Sequence, residues 1–221
     1  MFTQVLERDR SWTISDVLAW SRSLTPGPPG RGRYSDTGYQ ILGALIERLD
    51  GTTFADAVHR RIAAPLGLTA TYVFGEETIG RYPGITPMRA GSTALDIPLA
   101  MSSVQADGGM VSTLGEATTL LDAFFDGRLV PAPILAEMQS DWHPVFYPLE
   151  YGTGLMRFRV RWYFSPFARV PAFVGHSGAS GVVMYRQPAR GLSIVGTVNQ
   201  VENRSLPYQL MVRTALAAGR P

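Results

Sequence analysis

A chain of 221 residues with 45% hydrophobic side chains can bury one substantial core or two lobes sharing one, and its 17% charged and 10% aromatic content excludes a coiled coil, a collagen-like rod and a disordered tract. The formal charge of +2 comes from 20 basic against 18 acidic residues, and every one of the 20 is arginine; the sequence contains no lysine. Without cysteine there is no disulfide framework and no thiolate chemistry, three widely separated histidines give no metal spacing, and no apolar run nears the ~20 residues that span a bilayer.

The chain opens on MFTQVLERDRSWT, which carries charge where a signal peptide needs an apolar stretch and reads like the middle of a domain. A helix is expected from Trp12 to Trp20, with Ser11 or Thr13 as its cap and Asp16 in its first turn. LTPGPPGRGR, Leu24 to Arg33, holds too much proline and glycine for a regular element. In RYSDTGYQILGALIERLDG, Arg33 to Gly51, residues Ile41, Leu42, Leu45, Ile46 and Leu49 recur at helical spacing and Gly51 supplies the stop. A second helix is expected from Phe54 to Ala64, with Thr53 and Asp56 near its start and Pro65 closing it.

Gly67 to Ala106 reads mostly as loop with short pieces of structure. In ADGGMVSTLGEATTLLDAFFDG two glycines lead to Thr113 and Glu116, a capping box ahead of a helix that ends at Gly127, and a short helix follows over Pro133 to Ser140. Beyond Tyr151 the period changes to alternation. YGTGLMRFRV, PAFVGHS, GVVMYRQ and LSIVGTVN read as strands, PARG at 188–191 as a tight turn joining the last two, and Arg204 to Ala218 as a closing helix. Alternation in RFRVR places Arg157, Arg159 and Arg161 on one strand face, read as solvent-exposed rather than as a nucleic-acid site. Helices first, then an antiparallel sheet with a closing helix, is an α+β arrangement: a mainly helical lobe over 1–145 and the C-terminal strands and helix over 146–221.

Three short stretches carry chemistry-capable side chains. Tyr34, Ser35 and Asp36 crowd a loop-to-helix junction, where a phenol with an ordinary pKa of ~10 becomes a base only beside a cation. GHSGASG, Gly175 to Gly181, sets His176 among glycines between two strands, so that a ligand could approach the backbone and exposed N–H groups could hold an oxyanion. GGMVST is a well-capped helix start. Singly, each fits a structural role better, as a helix cap or a surface turn.

In this order, YSDTGYQILGALIERLDG, PLGLTAT, GGMVST and GHSGASG resemble the serine beta-lactamase and penicillin-binding superfamily, most of all its class C-like branch of beta-lactamases, D-alanyl-D-alanine carboxypeptidases and esterases. The resemblance runs from about Trp12 to the end of the chain. It implies a beta-lactamase-like fold and a hydrolase that forms an acyl-serine, with no cofactor and no metal. It gives Tyr34 the place of the Tyr-x-Asn tyrosine, which relays the proton. Asp36 stands where asparagine is usual, so a carboxylate that only accepts hydrogen bonds replaces a group that also donates them. His176, Ser177 and Gly178 match Lys-Thr-Gly in its His-x-Gly form, and Ala179 would offer a strand N–H to the oxyanion; His176 would be a softer anion anchor than lysine.

The resemblance also exposes a gap. The Ser-x-x-Lys nucleophile motif needs a lysine, arginine stays protonated and cannot act as its base, and no GxSxG elbow is present. The expectation is a chain that lacks the N-terminal segment with the nucleophile, inactive by itself, sticky where that segment would pack, and completed by a companion N-terminal chain or by self-association. The alternative is a non-catalytic binding or interaction module with the same cleft. Expected partners are a small ester, a beta-lactam or a D-Ala peptide, with His-x-Gly favouring the ester or peptide; no nucleic acid and no membrane span are expected.

Overall fold

The computed structural model describes residues 9–25, 34–160 and 170–218; most of the proline-glycine loop and Arg161 lie outside them. The chain forms two compact units, one from Met1–Pro26 with Ser35–Glu116 and one from Gly27–Tyr34 with Ala117–Pro221.

In the first unit, helix α1 spans Ile14–Arg22. It starts two residues later than expected because Thr13 and Asp16 bond each other reciprocally: the Asp16 carboxylate accepts from the Thr13 N–H at 2.7 Å and Thr13 Oγ1 accepts from the Asp16 N–H at 3.3 Å. That exchange satisfies two orphan amides and holds Thr13 outside the helix. Helix α2 spans Asp36–Asp50, capped by Ser35 Oγ, which accepts from the Gly38 N–H at 3.1 Å, and closed by Gly51 at φ 62°. It seats on the following structure through Gly43, where a Cβ would lie 2.5 Å from the Ala106 Cβ. Its aliphatic stripe points elsewhere: Ile41, Leu42, Leu45, Ile46 and Leu49 are 37–75% exposed.

The expected second helix runs as α3, Phe54–Val58, a π-helical turn over His59–Ala63, and α4, Ala64–Leu66. Pro65 lies inside this run instead of ending it, because an early position in a new turn asks for no N–H; Gly67, at φ 67°, is the actual stop. The stretch expected as loop holds more order than its pattern shows. It contains β1, Tyr72–Val73, a 3-10 helix over Glu76–Gly84, a hairpin of β2, Arg89–Ala90, with β3, Thr93–Ala94, and helix α5, Pro98–Val104. The two Asp9 carboxylate oxygens accept from the Leu99 and Ala100 N–H groups at 2.9 and 2.8 Å, so the cap of α5 comes from ninety residues away and leaves no local signature. A short 3-10 turn, Gln105–Asp107, leads to β4, Met110–Val111, which pairs antiparallel with β1.

Helix α6 spans Leu114–Phe125. Thr113 Oγ1 accepts from the Glu116 N–H at 3.2 Å, but the expected capping box is only half made. The Glu116 carboxylate turns to the 69–71 segment, accepting from the Thr69 and Ala70 N–H groups at 3.0 Å and from Thr71 Oγ1 at 2.6 Å. The buried Thr71 hydroxyl and these amides hold Glu116 below the usual carboxylate range.

In the second unit α7, Ala132–Met138, precedes a six-stranded antiparallel meander. Its strands are β5, His143–Phe146; β6, Leu149–Tyr151; β7, Met156–Phe158; β8, Phe173–Ser177; β9, Val182–Gln187; and β10, Leu192–Thr197, each paired with the next. Helix α8, Leu206–Ala217, closes it one residue inside the expected bounds at its C-terminal end. Phe158, Phe173, Val183, Tyr185 and Ile194 of the sheet pack with Met211 and Ala215 of α8, while Val174 joins Leu135 and Leu155 in a second cluster. The PARG turn is a 3-10 turn ending at Gly191, φ 61°.

Two sequence expectations fail in this unit. YGTGLMRFRV is no single strand: Gly152 and Gly154, the latter at φ 72°, break it, so Tyr151 ends β6 and only Met156–Phe158 forms β7. Nor does Arg157 stand on an open face, since its Nε donates to Glu150 Oε2 at 2.5 Å and its guanidinium lies 4.6 Å from the Trp142 ring centroid.

A Cβ on Gly175 would run into the Met184 carbonyl oxygen and lie 2.7 Å from the Tyr185 Cα, both of them backbone of β9. Gly175→Ala should therefore cost about 1–3 kcal/mol or more, whereas Gly196→Ala in β10, with nothing within 4 Å, should be close to neutral. Thermal melts of the two variants check this, with about 2–4 °C expected per kcal/mol for a chain of this size.

Candidate active site

Strand β8 ends in His176 and Ser177, and the alternation of a strand sends their side chains to opposite faces. Ser177 turns toward the core of the second unit. Its hydroxyl lies 2.5 Å from Tyr208 Oη, and the Tyr185 hydroxyl donates to it at 3.5 Å. Burial pushes the Tyr185 phenol far above its usual range, so of the two hydroxyls bonded to this serine the Tyr185 one cannot serve as its base. What the motif presents beyond the strand is the His176 ring and backbone.

The His176 ring is held at both nitrogens. Nδ1 lies 3.0 Å from the Ser177 carbonyl oxygen and Nε2 lies 3.0 Å from the Tyr151 hydroxyl. Tyr34 completes a triangle of rings: its centroid is 5.8 Å from that of His176 and 5.8 Å from that of Tyr151, and Tyr151 meets His176 edge-on at 5.8 Å. All three are half-buried. Tyr34 and His176, 142 positions apart in sequence, thus lie much closer than the roughly two helical turns, ~11 Å, beyond which they could share no site.

Tyr151 opens YGTGLMRFRV, the stretch expected to form one long strand, and so has no place among the site residues expected from sequence. The usable signal was Gly152 and Gly154 directly after it, which end the strand and leave the tyrosine at its tip.

After Ser177 the chain turns through a three-residue loop. The Gly178 N–H donates to the Val182 carbonyl and the Gly181 N–H to the Gly178 carbonyl, both at 3.0 Å, with Gly181 at φ 83°. This is the bulged hairpin turn in which glycine takes the left-handed position. Ala179 stands exposed at its tip, and its N–H has no acceptor among the described residues.

Asp36 belongs to the first unit as the opening residue of α2, where Ser35 and not Asp36 provides the cap. Its charge acts on Asp107, a carboxyl that burial pushes up to about 7, with the Asp36 charge adding to the rise and the Gln40 amide opposing it. The Gln40 Nε2 serves Ser103 O, Val104 O and Asp107 Oδ2 at 3.0, 2.7 and 3.1 Å, three acceptors for two hydrogens, and Asp107 Oδ1 is buried without a partner. A neutral carboxyl suits this place better than a carboxylate. Among the described residues no group of three or more His, Asp or Glu side chains is arranged to hold a metal ion, and no helix is long and apolar enough to cross a membrane.

The model of the family described as Beta-lactamase matches residues 3–218. The chain belongs to the beta-lactamase family. It is similar to the D-amino acid amidase of Ochrobactrum anthropi, with 28% identity, a TM-score of 0.78 and 95% of this chain aligned to 66% of that one. It is also similar to a D-stereospecific amidohydrolase of Streptomyces, with 26% identity, a TM-score of 0.72 and 100% of this chain aligned to 64% of that one. A penicillin-binding protein of Bacillus halodurans shares the fold at 20% identity and a TM-score of 0.64, covering 93% of this chain and 62% of that one. The chain therefore spans just under two thirds of the length of these amide hydrolases. Its α+β architecture with an antiparallel sheet of six strands is that of the beta-lactamase family.

The Asp107 carboxyl carries a pH prediction for this beta-lactamase relative. Because its pKa is higher in the folded chain than the ~3.9 of an unfolded aspartate, it stabilises the fold fully below pH ~4 and that contribution is lost as pH rises through about 7. Asp107→Asn should leave melting temperature higher than wild type at pH 8, and the advantage should vanish or reverse at pH 4.5 in paired thermal melts.

Proposed function

We propose that this chain forms one wall of the acyl-transfer cleft of a serine hydrolase acting on amides of D-amino acids. The observation that carries the reading is the convergence of Tyr34, Tyr151 and His176 at the end of β8, three residues before the exposed Ala179 in the chain. In the proposed reaction a serine hydroxyl attacks the amide carbonyl and the N–H of Ala179 donates to the oxyanion. Tyr34 takes the serine proton and passes it to the leaving ammonia; water then attacks the acyl-serine and releases the D-amino acid and the free hydroxyl.

The D-amino acid amide is favoured because two of the similar structures, at 28% and 26% identity, are named as a D-amino acid amidase and a D-stereospecific amidohydrolase. The attacking serine and its lysine are proposed to come from residues outside these 221, because no lysine is present to complete a Ser-x-x-Lys motif and Ser177 is engaged with phenols.

The test supplies the missing part. The chain alone, and the chain mixed with a separately produced segment carrying Ser-x-x-Lys, are incubated with a fluorescent fluorophosphonate and with D- and L-phenylalanine amide. Covalent labelling and D-selective ammonia release are expected only from the mixture, and Tyr34→Phe should lower that rate by roughly 10²–10⁴-fold. Labelling of the chain alone overturns the assignment of the nucleophile to other residues. D-amide binding without label or turnover in either arm favours a non-catalytic binding module instead.

A further inference from the structure

The ring of His176 has a donor and acceptor pattern that its surroundings dictate. The Ser177 carbonyl oxygen, 3.0 Å from Nδ1, can only accept, so Nδ1 must carry a hydrogen. In the neutral imidazole Nε2 is then a bare lone pair, and the Tyr151 hydroxyl, 3.0 Å away, must donate to it. Nothing else in the contact allows the reverse order while the ring is neutral.

We infer that Tyr151 is a positioning residue that locks neutral His176 as its Nδ1–H tautomer and keeps Nε2 occupied. Both ring nitrogens are then used within the protein. His176 presents the substrate with a fixed ring edge and no open ring N–H, so a free carboxylate on the substrate gains no direct imidazole hydrogen bond. The site should consequently prefer amides and esters without a carboxylate over substrates with a free carboxylate next to the scissile bond. This preference rests on the hydrolase reading above; the tautomer does not.

Uniform ¹⁵N labelling of the full chain and long-range ¹H–¹⁵N spectra read the tautomer directly, with His176→Gln identifying the resonances among the three histidines. At a pH where the ring is neutral, Nδ1 should appear as the protonated, pyrrole-type nitrogen and Nε2 as the unprotonated one. Tyr151→Phe keeps the packed ring and removes only the donor, and it should move the tautomer ratio toward Nε2–H by about threefold to tenfold, as one hydrogen bond is expected to do. An Nε2–H ring in the wild type, or a ratio indifferent to Tyr151→Phe, overturns the inference.

Added D-phenylalanine amide should perturb the His176 resonances more than the dipeptide D-phenylalanyl-glycine, whose free carboxylate stands next to the scissile amide, does. Equal perturbation by the two overturns the substrate preference. If neither compound perturbs the ring, the substrate preference fails while the tautomer assignment stands on the unliganded spectra, and the hydrolase reading is decided separately by the labelling of the mixture.

Discussion

The candidate site rests on how closely two strands approach. Strand β8 comes so near β9 at Gly175 that no side chain fits between them, and the residue that follows, His176, projects from a backbone with very little freedom to shift. From this tight contact the alternation of the strand separates two environments one residue apart. His176 meets Tyr151 and Tyr34. Ser177 meets Tyr208 and Tyr185. The same backbone thus anchors a half-open polar edge on one face and, on the other, a part-buried, hydrogen-bonded cluster of hydroxyls around the buried Tyr185.

Much of this was legible in the linear pattern, and the misses share a physical cause. Stops written by glycine, at Gly51 and Gly191, and caps written by a nearby hydroxyl, at Thr13 and Ser35, were readable because both causes are local. Helix α5 was not readable, since the carboxylate that satisfies its first amides is Asp9. Glu116 misled for the same reason: it obeys the local capping spacing, yet the 69–71 amides and the Thr71 hydroxyl compete for it and win. Strands β5 and β6 were hidden by Pro144 and Pro148 and by their brevity. At the site, Tyr34 and His176 could be paired only through the resemblance to a known family, because 142 residues separate them. Tyr151 needed the break at Gly152 and Gly154 to be recognised as the end of a strand.

The first unit shows the opposite balance between backbone and side chain. Its strands have two residues each, so the ladder contributes little, and long-range side-chain bonds take over: Asp9 to α5, the Trp12 N–H to Ser103 Oγ at 2.9 Å, Gln40 to Ser103 and Val104, and Glu116 to 69–71. Several of these acceptors are carboxylates, and hydrogen bonds to charged groups are worth more than neutral ones. The first unit is accordingly held by a few long-range side-chain bonds, whereas the meander is held mainly by continuous backbone pairing and a packed core.

Helix α2 seats on its own unit through Gly43 and the Gln40 amide and leaves five aliphatic side chains partly open to water. Those side chains are already partly hydrated in the native state, so melting the chain wets less new hydrocarbon there than a buried stripe would. The heat-capacity increment and the denaturant sensitivity of unfolding both scale with newly wetted area. The stability curve of this polypeptide is therefore flatter in temperature, and its urea transition broader, than its length alone implies.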